Sequence, residues 1–249
     1  GTYAARMRFA NATSDDDSEK DIRGLSIKVR GVTGENLTPG VSEQDFVLNS
    51  HPVMMASDAK GFLELLRANE AGGLSRAGYF AAHPRAARVA LEAQQHHSCH
   101  LDIPYWSATP YLFGEGQAVK YGLYPTSPRR SPEPPHRPST TYLTDEFIRR
   151  VAEAESTFDL MVQFQADAER TPIENAMEAW PDRISPYQRV ATLRIPPQRI
   201  DAAELWQQCE AMRFNPWHAL TPHRPLGSMN RARRVIYQAL ADFRQGVGR

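Results

Sequence analysis

Arg233 and Tyr237 stand four residues apart near the end of the chain, and Arg244 follows seven residues after the tyrosine. On a helix, at about 100° per residue, these three side chains fall within about 40° of one another. An arginine one turn from a tyrosine can donate to the phenol oxygen and favour its ionised form. A phenolate is a hard anionic donor that suits ferric iron, and tyrosine is one of the side chains that ligate haem iron. An arginine further along the same face can pair with a propionate carboxylate. Spacing alone carries little weight. Amphipathic helices also place Arg and Tyr this way for packing, and the pair recurs at Arg183 and Tyr187, where Pro186 spoils a regular helix.

Two histidine-bearing stretches offer other chemistry. In His96-His97-Ser98-Cys99-His100, a helix would put His96 and His100 on one face, where they could hold zinc. A third and fourth ligand do not stand out, so the favoured reading is the polar end of an alanine-rich helix. If Asp45–Ser50 is an extended strand, Asn49 and His51 point to the same side. His51 is then either a proton acceptor beside Asn49 or a structural histidine at a loop end. No P-loop, dinucleotide fingerprint, nucleophile elbow or His-Glu-x-x-His run occurs. Trp106, Trp180, Trp206 and Trp217 read as core or rim residues.

These residues need elements to position them. Strands are expected over residues 7–10, 25–30, 45–49, 105–113, 118–124, 158–165 and 187–195, from period-two alternation and β-branched or aromatic enrichment. Asp58 predicts a helix with Phe62, Leu65 and Leu66 inward, and residues 86–95 are alanine-rich and helix-prone. Thr144, Asp201 and Ser228 are expected caps for helices over residues 145–155, 202–212 and 229–243. Residues 125–139 hold six prolines and read as a covering strap. Strands dominate early and helices late, which predicts an α+β domain around an antiparallel barrel or strongly curved sheet.

At 249 residues, 41% hydrophobic and 23% charged, the chain is long enough for a sizeable core, and residues 1–249 are read as a single domain. Lys+Arg and Asp+Glu balance at 29 each, which argues against nucleic acid or an anionic membrane as the partner. Apolar runs fall short of the roughly 20 residues that span a bilayer. Cys99 and Cys209 make no disulfide framework, so a reducing, cytoplasmic setting is the default.

The C-terminal segment resembles the proximal helix of the catalases. There an Arg precedes the haem-ligating Tyr by four and a propionate-binding Arg follows it by seven, as Arg233, Tyr237 and Arg244 do. The resemblance extends through Phe214-Asn215-Pro216 and Pro225-Leu226-Gly227. It includes Arg8-Phe9 with Asp21-Ile22-Arg23-Gly24, and the run from Asp45 to Met55, where Asn49 falls on the distal asparagine. Met54 and Met55 stand where two phenylalanines are usual, and Gln238 stands where a proline commonly follows the tyrosine. The closest likeness is to short, divergent catalase-like haem proteins of the catalase-related peroxidase type.

This resemblance implies a catalase-like antiparallel β-barrel with surrounding and C-terminal helices, and haem b as cofactor. Tyr237 would be the metal ligand, with Arg8, Met55, Phe62, Arg233 and Arg244 also holding the haem. Asn49, Arg233 and Tyr237 would form the catalytic set. The implied activity is that of a haem-dependent peroxidase or catalase-like oxidoreductase acting on hydrogen peroxide or organic hydroperoxides. The alternatives are a haem enzyme that oxidises or rearranges a specific small molecule, and a non-catalytic haem-binding protein. The resemblance also implies a proton-shuttling histidine some tens of residues upstream of the Arg-Phe strand. Because the chain starts seven residues before Arg8, its N-terminal part is expected to be missing. Homo-oligomerisation is left open.

Overall fold

Alternation along the strands sets the architecture. In the computed structural model, which describes residues 1–134 and 136–244, the strands are β1 (Ala5–Asn11), β2 (Arg23–Arg30), β3 (Glu43–Asn49), β4 (Tyr105–Trp106), β5 (Tyr111–Leu112), β6 (Ala118–Pro125), β7 (Ser156–Phe164) and β8 (Gln188–Ile195). They form one antiparallel sheet in the order β1-β2-β3-β4-β6-β7-β8, with β5 paired to β6. The sheet curls into a half-barrel with β1 and β8 as its edges, so the fold is α+β as expected.

One face of the sheet is apolar. Leu25 and Ile27 of β2, Leu48 of β3, Tyr105 of β4, Val119, Tyr121 and Leu123 of β6, and Val162 of β7 are all nearly inaccessible and pack as one cluster. Removing such side chains from water contributes about 1.5–3 kcal/mol each. The other face alternates to Arg8, Lys28, Asp45, Asn49, Trp106, Lys120 and Gln163. Lys28, Asp45, Lys120 and Gln163 there are also buried, because later segments of the chain cover them.

Six helices complete the fold: α1 (Ala59–Glu70), α2 (Gly73–Ala82), α3 (Pro84–Ala93), α4 (Tyr142–Glu153), α5 (Ala203–Ala211) and α6 (Gly227–Arg244). Asp58 caps α1 as expected, accepting the Gly61 N–H at 2.9 Å. The other expected caps are not used. Thr144 lies inside α4, α5 begins after Ala202 without a side-chain cap, and Ser228 sits in the first turn of α6. The expected strand over residues 105–113 is broken between β4 and β5, where Ala108 adopts φ 55° and Pro110 removes a donor. No helix among the described residues is long and apolar enough to cross a membrane.

The histidine cluster lies beyond α3, which ends at Ala93, so His96 and His100 do not share a helix face and the expected zinc geometry is absent. Among the described residues no group of three or more His, Cys, Asp or Glu is placed to hold a metal ion. His100 is instead a core residue, packed on Phe9 and Phe147 beside Tyr105. Burial, and then the nearby Arg23 charge, pushes His100 down to about 3 and His97 down to about 4, against 6.5 for a free imidazole. Both rings are neutral in the fold, whereas the unfolded chain takes up these protons near pH 6.5. Their contribution to stability is therefore complete above about pH 6.5 and is lost as pH falls towards 4. His100→Phe keeps an aromatic ring and removes one titration. Its urea midpoint is expected to fall less between pH 7 and pH 4 than that of the parent, and equal losses would show that His100 does not drive the acid sensitivity.

Candidate functional site

The site is built on α6, and its entry is fixed by steric fit. Gly227 has φ +83°, and a Cβ there would lie 2.7 Å from the Ile173 carbonyl oxygen, so the position accepts glycine alone. Glu174 then serves the first turn, accepting the Ser228 N–H at 2.7 Å and pairing with Arg231 at 3.0 and 3.1 Å. The approach to α6 is held along β5 by Leu112 N–H to the Arg224 carbonyl (2.8 Å) and Leu226 N–H to the Pro110 carbonyl (2.9 Å).

One turn into α6, the side chain of Asn230 is fully buried and uses all four of its hydrogen-bonding positions. Its Nδ2 donates to the Pro110 and Leu226 carbonyls at 2.9 and 3.0 Å, and its Oδ1 accepts from Thr109 Oγ1 at 3.0 Å and Arg233 Nη1 at 3.1 Å. The indole of Trp217 donates to the Asn230 carbonyl at 2.7 Å. Arg233 also reaches Thr109 Oγ1 at 3.2 Å, and its other terminal nitrogen donates to the Tyr237 hydroxyl at 3.2 Å. The guanidinium lies 5.1 Å from the Tyr237 ring centroid. Burial opposes the Arg233 charge, yet its pKa is raised, because the phenol oxygens of Tyr237 and Tyr111 favour the cation more. Burial likewise raises the pKa of Tyr111, which keeps it a neutral hydroxyl.

The other expected residues lie around this pair. Arg8 stacks over the ring of Phe214 at 5.1 Å, with the Lys28 ammonium 5.5 Å from the same ring. The next residue, Asn215, reaches α6 through a long contact of its Nδ2 with the Arg234 carbonyl (3.5 Å), so Arg8 is tied to the α6 side of the sheet. Asn49 ends β3 directly opposite Trp106 of β4. Thr109, which Arg233 grips, is three residues beyond Trp106, a span of at most about 11 Å. The Asn49 Oδ1 accepts the His51 N–H at 2.9 Å, which leaves its Nδ2 to donate to a ligand. His51 does not share a strand face with Asn49, because β3 ends at Asn49 and the His51 Nδ1 turns back to the Val53 carbonyl at 3.1 Å.

Phe62 of α1 and Met54 pack against Ala56, Ala176 and Met229, which places them beneath the first turn of α6. Met55 is half-buried and shares no hydrogen bond or ring contact with Arg233 or Tyr237. Arg244 is the last residue of α6, and its side chain lies outside the described residues. Tyr237 is itself half-buried, while Ile236, Leu240 and Phe243 are exposed at 42%, 54% and 69% and share a neighbouring side of α6. Sequence reasoning missed Asn230 and Thr109. Asn230 was within reach, because it lies three residues before Arg233 on the same helix face; Thr109 carries no local signal.

With this geometry in place, comparison with known proteins identifies the fold. No protein-family profile matches the chain, and no curated protein does. Among solved structures, a fungal catalase is similar with a TM-score of 0.79 and 15% identity, over 98% of this chain and 52% of its own. A bacterial catalase gives a TM-score of 0.75 and 14% identity, over 99% of this chain and 51% of its own. The chain therefore has a catalase-like fold and spans about half the length of these catalase chains.

Asn230→Ala removes a carboxamide whose four partners are left without it. The expected cost is about 3 kcal/mol of stability, read as a lowered urea midpoint. A midpoint within error of the parent would mean that the carboxamide does not fix α6.

Proposed function

We propose that this chain is a haem-dependent oxidoreductase of peroxidase or catalase-like type, acting on hydrogen peroxide or organic hydroperoxides with Tyr237 as the iron ligand. The observation that carries this reading is the Tyr237 hydroxyl held at 3.2 Å by a guanidinium that Thr109 and Asn230 lock in place, within a catalase-like fold. The donor set fits the group. A phenol backed by a cation can ionise and supply a hard anionic ligand. The exposed apolar residues Ile236, Leu240 and Phe243 on a neighbouring side of α6 are surface that a bound apolar group could cover in part. Haem b bound there would supply a ferric centre for two-electron reduction of a peroxide.

The chain's own groups have separable tasks. Tyr237 binds the metal. Arg233 donates to the phenol oxygen and fixes its direction. Arg8, on the sheet face that α6 approaches, is the candidate partner for a propionate, and Arg244 is the second. Met55 and Phe62 are candidates for lining the macrocycle. Asn49, whose Oδ1 accepts the His51 N–H, is the candidate donor, through its Nδ2, to a peroxide oxygen.

Titration of the purified chain with haemin tests the assignment. The parent is expected to develop a Soret band of ferric tyrosinate character, and Tyr237→Phe is expected to lose most of its haem retention. Unchanged haem affinity in Tyr237→Phe would sink the ligand assignment. Arg233→Ala is expected to retain some haem with a shifted spectrum. Asn49→Ala is expected to keep the haem and to slow the peroxide reaction about fivefold to tenfold, the worth of one hydrogen bond.

A further inference from the structure

Directly opposite residues of an antiparallel sheet share a face. One such row runs through Asn49, Trp106, Gly122 and Met161 across β3, β4, β6 and β7. Tyr124 lies two residues beyond Gly122 on β6 and therefore on the same face. Its ring meets Trp106 edge-on with 5.9 Å between centroids, and the Trp106 indole N–H donates to the Tyr124 hydroxyl at 3.0 Å. Tyr187, just before β8, meets Tyr124 edge-on at 5.4 Å. Gly122 is what allows the three rings to converge. A Cβ at that position would lie 2.7 Å from Tyr124 Cε2, 2.9 Å from Tyr187 Cε1 and 3.5 Å from Trp106 Cδ1. Any other residue would push the rings apart. The series starts at the strand partner of Asn49 and ends at half-buried Tyr187, which is flanked by exposed Pro186 and Gln188. The carboxylate of exposed Asp182 acts electrostatically on both tyrosines.

We propose that Trp106, Tyr124 and Tyr187 form a one-electron relay that links the site at Asn49 to the protein surface, where it draws electrons from small phenolic reductants. The proposal rests on the reading of that site as one that reduces hydroperoxides. Trp and Tyr are the side chains most easily oxidised by one electron without bond cleavage, and rings in edge contact exchange electrons readily. Loss of an electron from Trp106 towards the site is made good by Tyr124 and then by Tyr187. Tyr187 releases its phenol proton to water or to the Asp182 carboxylate and is left as a neutral tyrosyl radical. A phenol at the surface returns one electron and one proton and departs as a phenoxyl radical. Two such passages supply the two electrons and two protons that convert one hydroperoxide and two phenols into an alcohol, water and two phenoxyl radicals.

The relay is testable without haem. In Asn49→Cys/Cys209→Ser, the remaining native thiol, Cys99, is fully buried, so a ruthenium polypyridyl photo-oxidant couples to residue 49. Flash oxidation is expected to give a tyrosyl radical that spin trapping and peptide mapping place on Tyr187. That signal is expected to disappear in Tyr124→Phe and to weaken in Gly122→Ala, with circular dichroism confirming that each variant is folded. Absence of a Tyr187 adduct in the labelled parent overturns the relay, as does an undiminished adduct in Tyr124→Phe. Failure here counts against the relay alone, and failure of haemin titration counts against the haem reading alone.

Discussion

The placement of Arg233, and through it of Tyr237, depends on one buried carboxamide. Asn230 joins the start of α6 to the Thr109–Pro110 stretch of the half-barrel with two hydrogen bonds, and two more tie it to Leu226 and Arg233 on its own segment. An amide with that many partners tolerates one rotation of the helix. A slip of one residue along α6 would turn Tyr237 by about 100° and strip the carboxamide of its partners. Thr109, which donates to the Asn230 Oδ1, follows a strained residue. Ala108 sits at φ 55°, a conformation that costs a non-glycine residue about 1 kcal/mol or more. This turn lets the Ser107 hydroxyl donate to the Thr109 carbonyl at 2.8 Å while it accepts the Tyr121 N–H at 3.0 Å. The strain is confined to a residue that is wholly buried, where the surrounding sheet enforces it.

A second anchor acts further along the same sheet face. Both Asp45 oxygens accept from the Lys28 ammonium, at 2.8 and 3.0 Å, and Oδ2 also meets the Asn215 N–H and the His218 Nδ1, each at 3.0 Å. Asp45 is fully inaccessible and Lys28 nearly so. A buried pair of this kind adds little net stability, but deleting one partner leaves a charge that costs about 3–5 kcal/mol. Its effect here is on register. The segment carrying Phe214, Asn215 and Trp217 can lie on the sheet in one way, and that same segment supplies the ring under Arg8 and the indole on Asn230. Two polar anchors thus tie α6 and the segment before it to the sheet across 121 and 170 residues of chain.

Local patterns were legible in the sequence, and contacts between distant segments were not. The β-strands and α6 follow from alternation and helical spacing, and the Arg233–Tyr237 hydrogen bond is a contact across one turn that the four-residue spacing allows. Ranges went wrong where a special backbone state intervened. The stretch from Tyr105 to Phe113 reads as one strand because its residues are aromatic and β-prone, but Ala108 and Pro110 break it. Helix α2 was overlooked because Gly72, Gly73 and Gly78 argue against a helix, although α1 and α3 on either side make room for one. His96 and His100 share a face only on a helix, and the chain leaves α3 before reaching them. The Thr109–Asn230 bond joins residues 121 positions apart, and no periodicity encodes such a pair.

The outer sheet face also explains how oxidisable side chains can coexist with peroxide chemistry, on the proposed reading. Met54 and Met229 pack together beneath the first turn of α6, Met55 is adjacent in sequence, and Met161 occupies the row that contains Asn49 and Trp106. Thioether oxidation adds an oxygen atom and turns an apolar side chain polar, which would damage the packing under α6. Passage of an electron through an aromatic ring leaves the covalent structure intact. A route that begins at the strand partner of Asn49 and ends beside exposed residues competes with thioether oxidation for the same oxidising equivalent. The competition is set by ring contact, and ring contact is set by Gly122. The small residue at the centre of a buried strand, costly to strand stability on its own, is then the feature that lets the sheet row serve both as the floor of a site and as its electrical outlet.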